Sequence, residues 1–233
     1  YRIHECLLNK KKKSFIWVNH SISNNARVYY KKGNFNKFLI KLRFFLSRLI
    51  VKLLKTKNTN LHSISFFSSD WIKRINKSDA DIVHLHWIQK EMISIKDLSL
   101  LKKPVLWTLH DMWAFCGAEH IAKNNRWIKG YKKNNRPTSE KGFDLNLWTW
   151  KRKKRYWNKP IQIITPSEWL KKSVNKSHLM KNWPVKKIPN PINTKVWKPL
   201  QKKRARIIHS IPIDKPIFLF GAIGGTQDKN KGF

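Results

Sequence analysis

Acidic residues are scarce in this chain: 13 Asp plus Glu stand against 50 Lys plus Arg, a formal charge of +37 over 233 residues. That imbalance favours anionic partners such as membrane surfaces, nucleotide phosphates or nucleic acid. The basic residues are scattered through every segment, however, so a lysine-rich compositional habit is the bland reading and charge alone names no partner. Cysteine is scarcer still. Cys6 and Cys116 lie far apart with no metal-ligand spacing, which points away from a disulfide framework or a zinc site and towards a reducing, cytosolic setting. Internal repeats are missing, and so is any run apolar enough to cross a bilayer: the most apolar helical stretch, 35–55, carries six Lys or Arg in 21 residues. What the chain does have is 41% hydrophobic residues and 12 tryptophans, ample for a core and against disorder.

Two strand-length apolar runs each close on a histidine: Asp81-Ile-Val-His-Leu-His-Trp87 and Pro104-Val-Leu-Trp-Thr-Leu-His-Asp111. Neither alternates cleanly, as expected of strands covered on both faces of a parallel sheet. The segment 88–103 between them has room for one crossover helix, with Ile93, Leu98 and Leu101 apolar. This βαβ pattern predicts an α/β fold, a Rossmann-like parallel sheet with helices on both faces. Ligands of such sheets collect at the carboxyl ends of the strands, so His86 and His110 are expected to look into one crevice.

Elsewhere, Tyr1 to Asn9 reads as a short helix, Ser14 to Val18 as a strand and 19–34 as polar turns. Phe35 to Lys55 has the clearest helical spacing, with Phe38, Leu39, Leu42, Leu46, Leu49 and Leu53 apolar and Lys37, Lys41, Arg48, Lys52 and Lys55 on its basic strip. A helix lying in a membrane interface combines such faces, and an ordinary packed helix is the alternative. Phe66 to Asn76 predicts a helix. Residues 113–150 are aromatic and irregular, and packing against the scaffold is the expected use of Trp127, Tyr131 and Trp148. A basic helical segment from Lys151 leads to the strand Ile161 to Thr165, and Thr165-Pro-Ser-Glu168 reads as a capping threonine, a first-turn proline and a returning glutamate before a helix over 166–175. Val185 to Ile188 reads as a strand, 193–203 as a linker, 201–210 as a helix and Pro216 to Phe220 as a buried strand.

The ordered series DIVHLHW, PVLWTLHDMWAF, ITPSEWL, KKIPNPINTKVWKP and FLFGAIGGTQDKNKGF resembles the family 4 glycosyltransferases, retaining enzymes of the GT-B fold, and most closely those that build exopolysaccharide and lipopolysaccharide. The resemblance implies an acceptor-side Rossmann-like domain over 1–198, lacking its first strand and Gly-rich loop, and a linker with the start of a donor-binding domain over 199–233. It implies transfer of a hexose-type sugar from a nucleotide-sugar donor to a saccharide or lipid-linked acceptor at the cytoplasmic face of the membrane. No metal and no cofactor beyond the nucleotide sugar are expected. The chain as it stands is expected to be inactive without the rest of such an enzyme.

Residue by residue, the resemblance places His110 beside the transferred sugar, with Asp111 orienting its turn. His86 and Trp87 fall on the acceptor side, and Gly221 and Lys231 at the donor diphosphate. His84 is expected to be core, and Ser167, Glu168 and Asn190 to be structural. The chain departs from the family at Ala222, where many relatives carry arginine, and at Glu119, Asn125 and Asn134, which stand where relatives carry a cysteine cluster. Partners expected are the donor, the acceptor and an anionic membrane surface met by 35–55, with no nucleic acid. A non-catalytic basic module binding membrane, or less readily nucleic acid, and an inactive gene fragment are the competing readings.

Overall fold

A computed structural model of the chain describes residues 1–219 and 221. In chain order, α1 (Arg2–Asn9) is followed by β1 (Ile16–Val18), β2 (Val28–Tyr30), α2 (Asn34–Val51), β3 (Leu54–Lys55), α3 (Trp71–Lys77) and β4 (Val83–Leu85). The single turn α4 (Ile95–Leu98), β5 (Val105–Thr108), α5 (Arg126–Lys129), β6 (Lys141–Gly142), α6 (Leu145–Tyr156), β7 (Gln162–Thr165), α7 (Glu168–Lys176) and β8 (Val185–Lys187) complete a compact unit spanning Tyr1–Pro191. A second unit begins at Ile192 and contains α8 (Lys202–Ile208), whose Arg206 guanidinium donates to the carbonyls of Pro212, Ile213 and Lys215.

Strands β4, β5, β7 and β8 lie in that order in one sheet, all parallel, with Leu85 opposite Trp107, Trp107 opposite Ile163 and Ile163 opposite Val185. Parallel pairing demands crossovers that cover the sheet, so the strands carry apolar side chains without alternation. Trp107 and Ile163 are buried at the centre, packed with Trp71 and Ile72 of α3, Ile95 and Leu98 of α4, Trp157, and Leu170 and Val174 of α7. The molecule is thus an α/β protein, a Rossmann-like parallel sheet flanked by helices.

Several elements differ from what the sequence predicts, each for a local reason. The crossover 88–103 shrinks to the one turn of α4, capped by the Ser94 hydroxyl accepting from Asp97 N at 3.0 Å. Around it, side-chain carboxylates replace helical carbonyls as acceptors: Glu91 takes Phe67 N at 2.8 Å and Asp97 takes Ser69 N at 3.1 Å. Those bonds also hold 66–70 outside α3, which begins only at Trp71. Within 19–34, Val28 to Tyr30 pair in parallel with β1. Helix α6 starts at Leu145, not Lys151, because the Asp144 carboxylate accepts from Leu147 N at 3.0 Å.

The start of α7 is corrected too. Thr165 stays in the sheet opposite Lys187, and the cap is Ser167, extended at φ −136° with its hydroxyl accepting from Leu170 N at 3.2 Å. Pro166 therefore precedes the cap, and the Glu168 carboxylate pairs with Lys187 at 3.5 Å. Residues 216–219 form no strand: no described residue pairs with them, and Phe218 and Leu219 are exposed.

Candidate functional site

Strands β4 and β5 run side by side, so the residues just past their carboxyl ends meet. His86 Nδ1 and His110 Nε2 lie 3.1 Å apart, with their rings stacked at 5.4 Å and 26°. His84, on the same side of β4, stacks on His86 at 4.4 Å and bonds through Nε2 to Thr108 Oγ1 at 2.7 Å. His84 is therefore half-buried at the rim of this cluster. Partial removal from water, and then the nearby charge of His84 and His110, push His86 down to about 4, so it is a neutral imidazole at pH 7.

Asp111 is clamped from three sides. Its Oδ1 accepts from Trp113 N at 2.9 Å, and its Oδ2 accepts from Trp87 Nε1 at 3.2 Å and from His120 Nδ1 at 2.6 Å. Burial alone raises this carboxyl, but the His120 bond and charge, with the Trp113 and Trp87 bonds, hold it below the usual range. A carboxylate is an acceptor only, so Nδ1 of His120 donates to it, while Nε2 bonds to Ser63 Oγ at 2.9 Å. Trp113 Nε1 donates to Ser63 O at 2.8 Å and closes the array. Between His86, Trp87, Thr108, His110 and Asp111 lies a recess of about 10 Å³, into which Gln89 also faces.

His120, Ser63 and Gln89 carry no periodic signal that sequence reasoning could use. The loop 112–120 returns on itself because Met112 N donates to His120 O at 3.0 Å. Gly117 permits this: a Cβ there would lie 2.7 Å from the backbone of Asn146. The loop is then pinned by Lys153 of α6, fully buried, whose ammonium donates to the carbonyls of Trp113, Cys116 and Gly117 and sits 3.8 Å from the Trp113 ring centroid. Burial lowers Lys153 to about 7.

Where the resemblance places a cysteine cluster, the structure has a polar lattice. The Glu119 carboxylate, raised to about 7 by burial, accepts from Tyr131 OH at 2.5 Å. Arg126, only 2% exposed, donates to Asp144 Oδ2 at 2.7 Å, Asn135 Oδ1 at 3.1 Å and Lys132 O at 3.0 Å, and lies 4.7 Å from the Tyr131 ring centroid. Asn125 is the residue before α5, and Asn134 lies within a single 3-10 turn, Lys133–Asn135. Trp127, Tyr131 and Trp148 pack against the scaffold. Among the described residues no group of three or more His, Cys, Asp or Glu is placed to hold a metal ion.

Of the donor-side candidates, Gly221 is exposed and a Cβ on it would meet nothing within 4 Å. Lys231 lies outside the described residues. Helix α2 turns Leu39, Ser47 and Ile50 inwards and leaves Phe35, Phe38, Leu42, Phe45 and Leu49 exposed beside Lys37, Lys41, Arg48 and Lys52. No helix among the described residues is long and apolar enough to cross a membrane. Residues 46–196 match the family model described as Glycosyltransferase Family 4. Comparison with curated proteins and with solved structures found no match.

Proposed function

The chain belongs to glycosyltransferase family 4, and from that membership we propose that it serves a retaining GT-B reaction, moving a hexose-type sugar from a nucleotide-sugar donor to a saccharide or lipid-linked acceptor in cell-surface polysaccharide synthesis. The observation that carries this reading is the His86–His110 pair at the carboxyl edge of β4 and β5, 3.1 Å apart and backed by the clamped Asp111.

In the reaction the acceptor hydroxyl oxygen bonds to the anomeric carbon on the face from which the diphosphate leaves. The anomeric C–O bond to phosphate breaks, and the hydroxyl proton passes to the departing phosphate oxygen. His110 hydrogen-bonds the transferred sugar near the reacting carbon, and neutral His86 and Trp87 line the acceptor side. Their contribution is positioning and electrostatics rather than a covalent bond to the sugar. Gly221 and Lys231 contact the donor diphosphate, and no metal takes part. The acceptor is met at the cytoplasmic face of a membrane, on which α2 rests its exposed aromatic stripe and basic strip. Asp111 and His120 keep the His110 turn in place.

The test is sugar transfer by the full-length protein from UDP-, GDP- and dTDP-hexoses to membrane lipid extracts, read as release of nucleoside diphosphate and labelled lipid. His110→Ala is expected to fold and to lose transfer. Transfer at the wild-type rate by that variant removes His110 from the site.

A further inference from the structure

Gln89 lies three residues past His86 and is 5% exposed, yet its Oε1 has no hydrogen-bond partner among the described residues. The side chain lines the same recess as His86, Trp87 and His110, whose volume of about 10 Å³ suits one oxygen-sized group. A buried amide left unpaired is unfavourable, and such groups are rare enough to call for a cause. Flexibility is not the cause. Lys90 and Glu91, the next two residues, are both left-handed at φ 54° and 57°. Non-glycine residues hold that conformation only where their surroundings impose it. Here the Glu91 carboxylate is tied to Phe67 N at 2.8 Å and the Gln89 carbonyl accepts from Met92 N at 3.3 Å. The backbone around Gln89 is thus held in place, and its buried side chain lies among the residues that line the recess.

We infer that Gln89 is a hydroxyl-selecting residue, its amide holding one sugar hydroxyl in the recess beside His86 and His110. The inference rests on the glycosyltransferase reading and adds the group that reads the sugar. A primary amide both donates and accepts, as a hydroxyl does. A phosphate or carboxylate would engage only the NH₂ and leave Oε1 unpaired, so the chemistry selects a neutral hydroxyl. The hydroxyl belongs either to the acceptor or to the sugar being transferred, and the experiment separates the two.

The full-length protein is titrated with methyl glycosides as acceptor-type probes and with UDP- and GDP-hexoses as donor-type probes, followed by saturation-transfer NMR and tryptophan fluorescence. Gln89→Met keeps the volume and removes the amide. It is expected to hold or raise the melting temperature, because an apolar group replaces an unpaired polar one, while weakening the best-bound probe about tenfold or more. The wild type should discriminate against the monodeoxy analogue of that probe and Gln89→Met should not. Gln89→Asn, which keeps the amide but withdraws it by one methylene, should lose the same discrimination and serves if the methionine variant does not fold. The probe class that shows the effect identifies the acceptor or the donor sugar. Unchanged affinity and discrimination in both variants overturn the assignment, as does a fall in melting temperature with sugar binding intact. Binding that depends on His110 but not on Gln89 overturns this inference alone. No binding of any probe by the wild type overturns the glycosyltransferase reading and this inference with it.

Discussion

Asp111 and His120 meet at 2.6 Å across a loop that leaves the sheet and returns, and this contact fixes the turn carrying His110. Both carboxylate oxygens are engaged, because Trp113 N donates to Oδ1 and Trp87 Nε1 shares Oδ2 with His120. Asp111→Asn puts an NH₂ where one of these donors points. The expected result is a loss of about 1.5–3 kcal/mol, the usual worth of a hydrogen bond to a charged group, measured by urea unfolding. His110 chemical shifts should move at the same time. An unchanged midpoint with unmoved His110 signals counts against the clamp.

His86 gives the stability a pH dependence whose sign can be worked out. His86 is lowered to about 4 in the folded chain and titrates near 6.5 when unfolded. Between those values the unfolded state binds the extra proton, so this group's contribution is lost as pH falls from 6.5 towards 4. Glu119, raised to about 7, acts with the opposite sign as pH falls below 7. The His86 share is therefore isolated as a difference: the wild-type minus His86→Gln stability should decline across pH 6.5 to 4 and be flat above 7. A flat difference throughout refutes the assignment. Asp111, held low, adds stability that fails only as the pH drops below the usual carboxylate range.

Lys153 and Arg126 are cationic staples in a chain otherwise crowded with exposed cations. Arg126→Met removes the buried cation paired with the Asp144 and Glu140 carboxylates and a donor to the Lys132 carbonyl, leaving Asp144 only Leu147 N and the more distant Arg136. Removing one partner of a buried ion pair costs about 3–5 kcal/mol, and the fall in unfolding free energy should reach that range. If the lattice fixes 119–144, amide hydrogen exchange should accelerate there and hardly change in β7 and β8. A uniform change would assign Arg126 to the general core.

The sheet was legible in the sequence because β4, β5 and β7 are apolar runs that only a covered parallel sheet accommodates. The convergence of His86 and His110 followed from where those runs end. Trp87 and Asp111, which follow those histidines, were named from the family resemblance and line the same recess, but the loop residues behind them were not legible. His120, Ser63 and Gln89 sit in loops, whose paths are set by single contacts such as Met112 N to His120 O rather than by any repeating pattern. Helix α2 shows a different limit. Its periodic apolar positions establish a helix, but Leu39 and Leu46 turn inwards while Phe38, Leu42 and Leu49 face out, and the helix expected over 35–55 ends at Val51 because Leu54 and Lys55 pair with Gly142 and Lys141. A helix apolar on most of its circumference does not reveal which stripe the protein covers.

That outward stripe leads to a prediction about membranes. Phe35, Phe38 and Phe45 are 72%, 58% and 59% exposed and recur at helical spacing, with Lys37, Lys41, Arg48 and Lys52 alongside. Burying such rings in an interface gains their apolar area, roughly 25 cal/mol per Å², and each nearby cation gains about 1 kcal/mol at an anionic surface. The protein should therefore sediment with phosphatidylglycerol vesicles at low salt and far less with neutral phosphatidylcholine. Raising the salt weakens the cationic share, since the screening length falls to about 3 Å at 1 M. Phe38→Ser with Phe45→Ser should reduce binding at all salt concentrations, whereas Lys37→Gln with Lys41→Gln should remove mainly the salt-sensitive part. Because these side chains point away from the core, neither pair should move the melting temperature by more than a degree or two. If the phenylalanine pair instead unfolds the protein while vesicle binding by the wild type is absent at low salt, α2 is an ordinary packed helix.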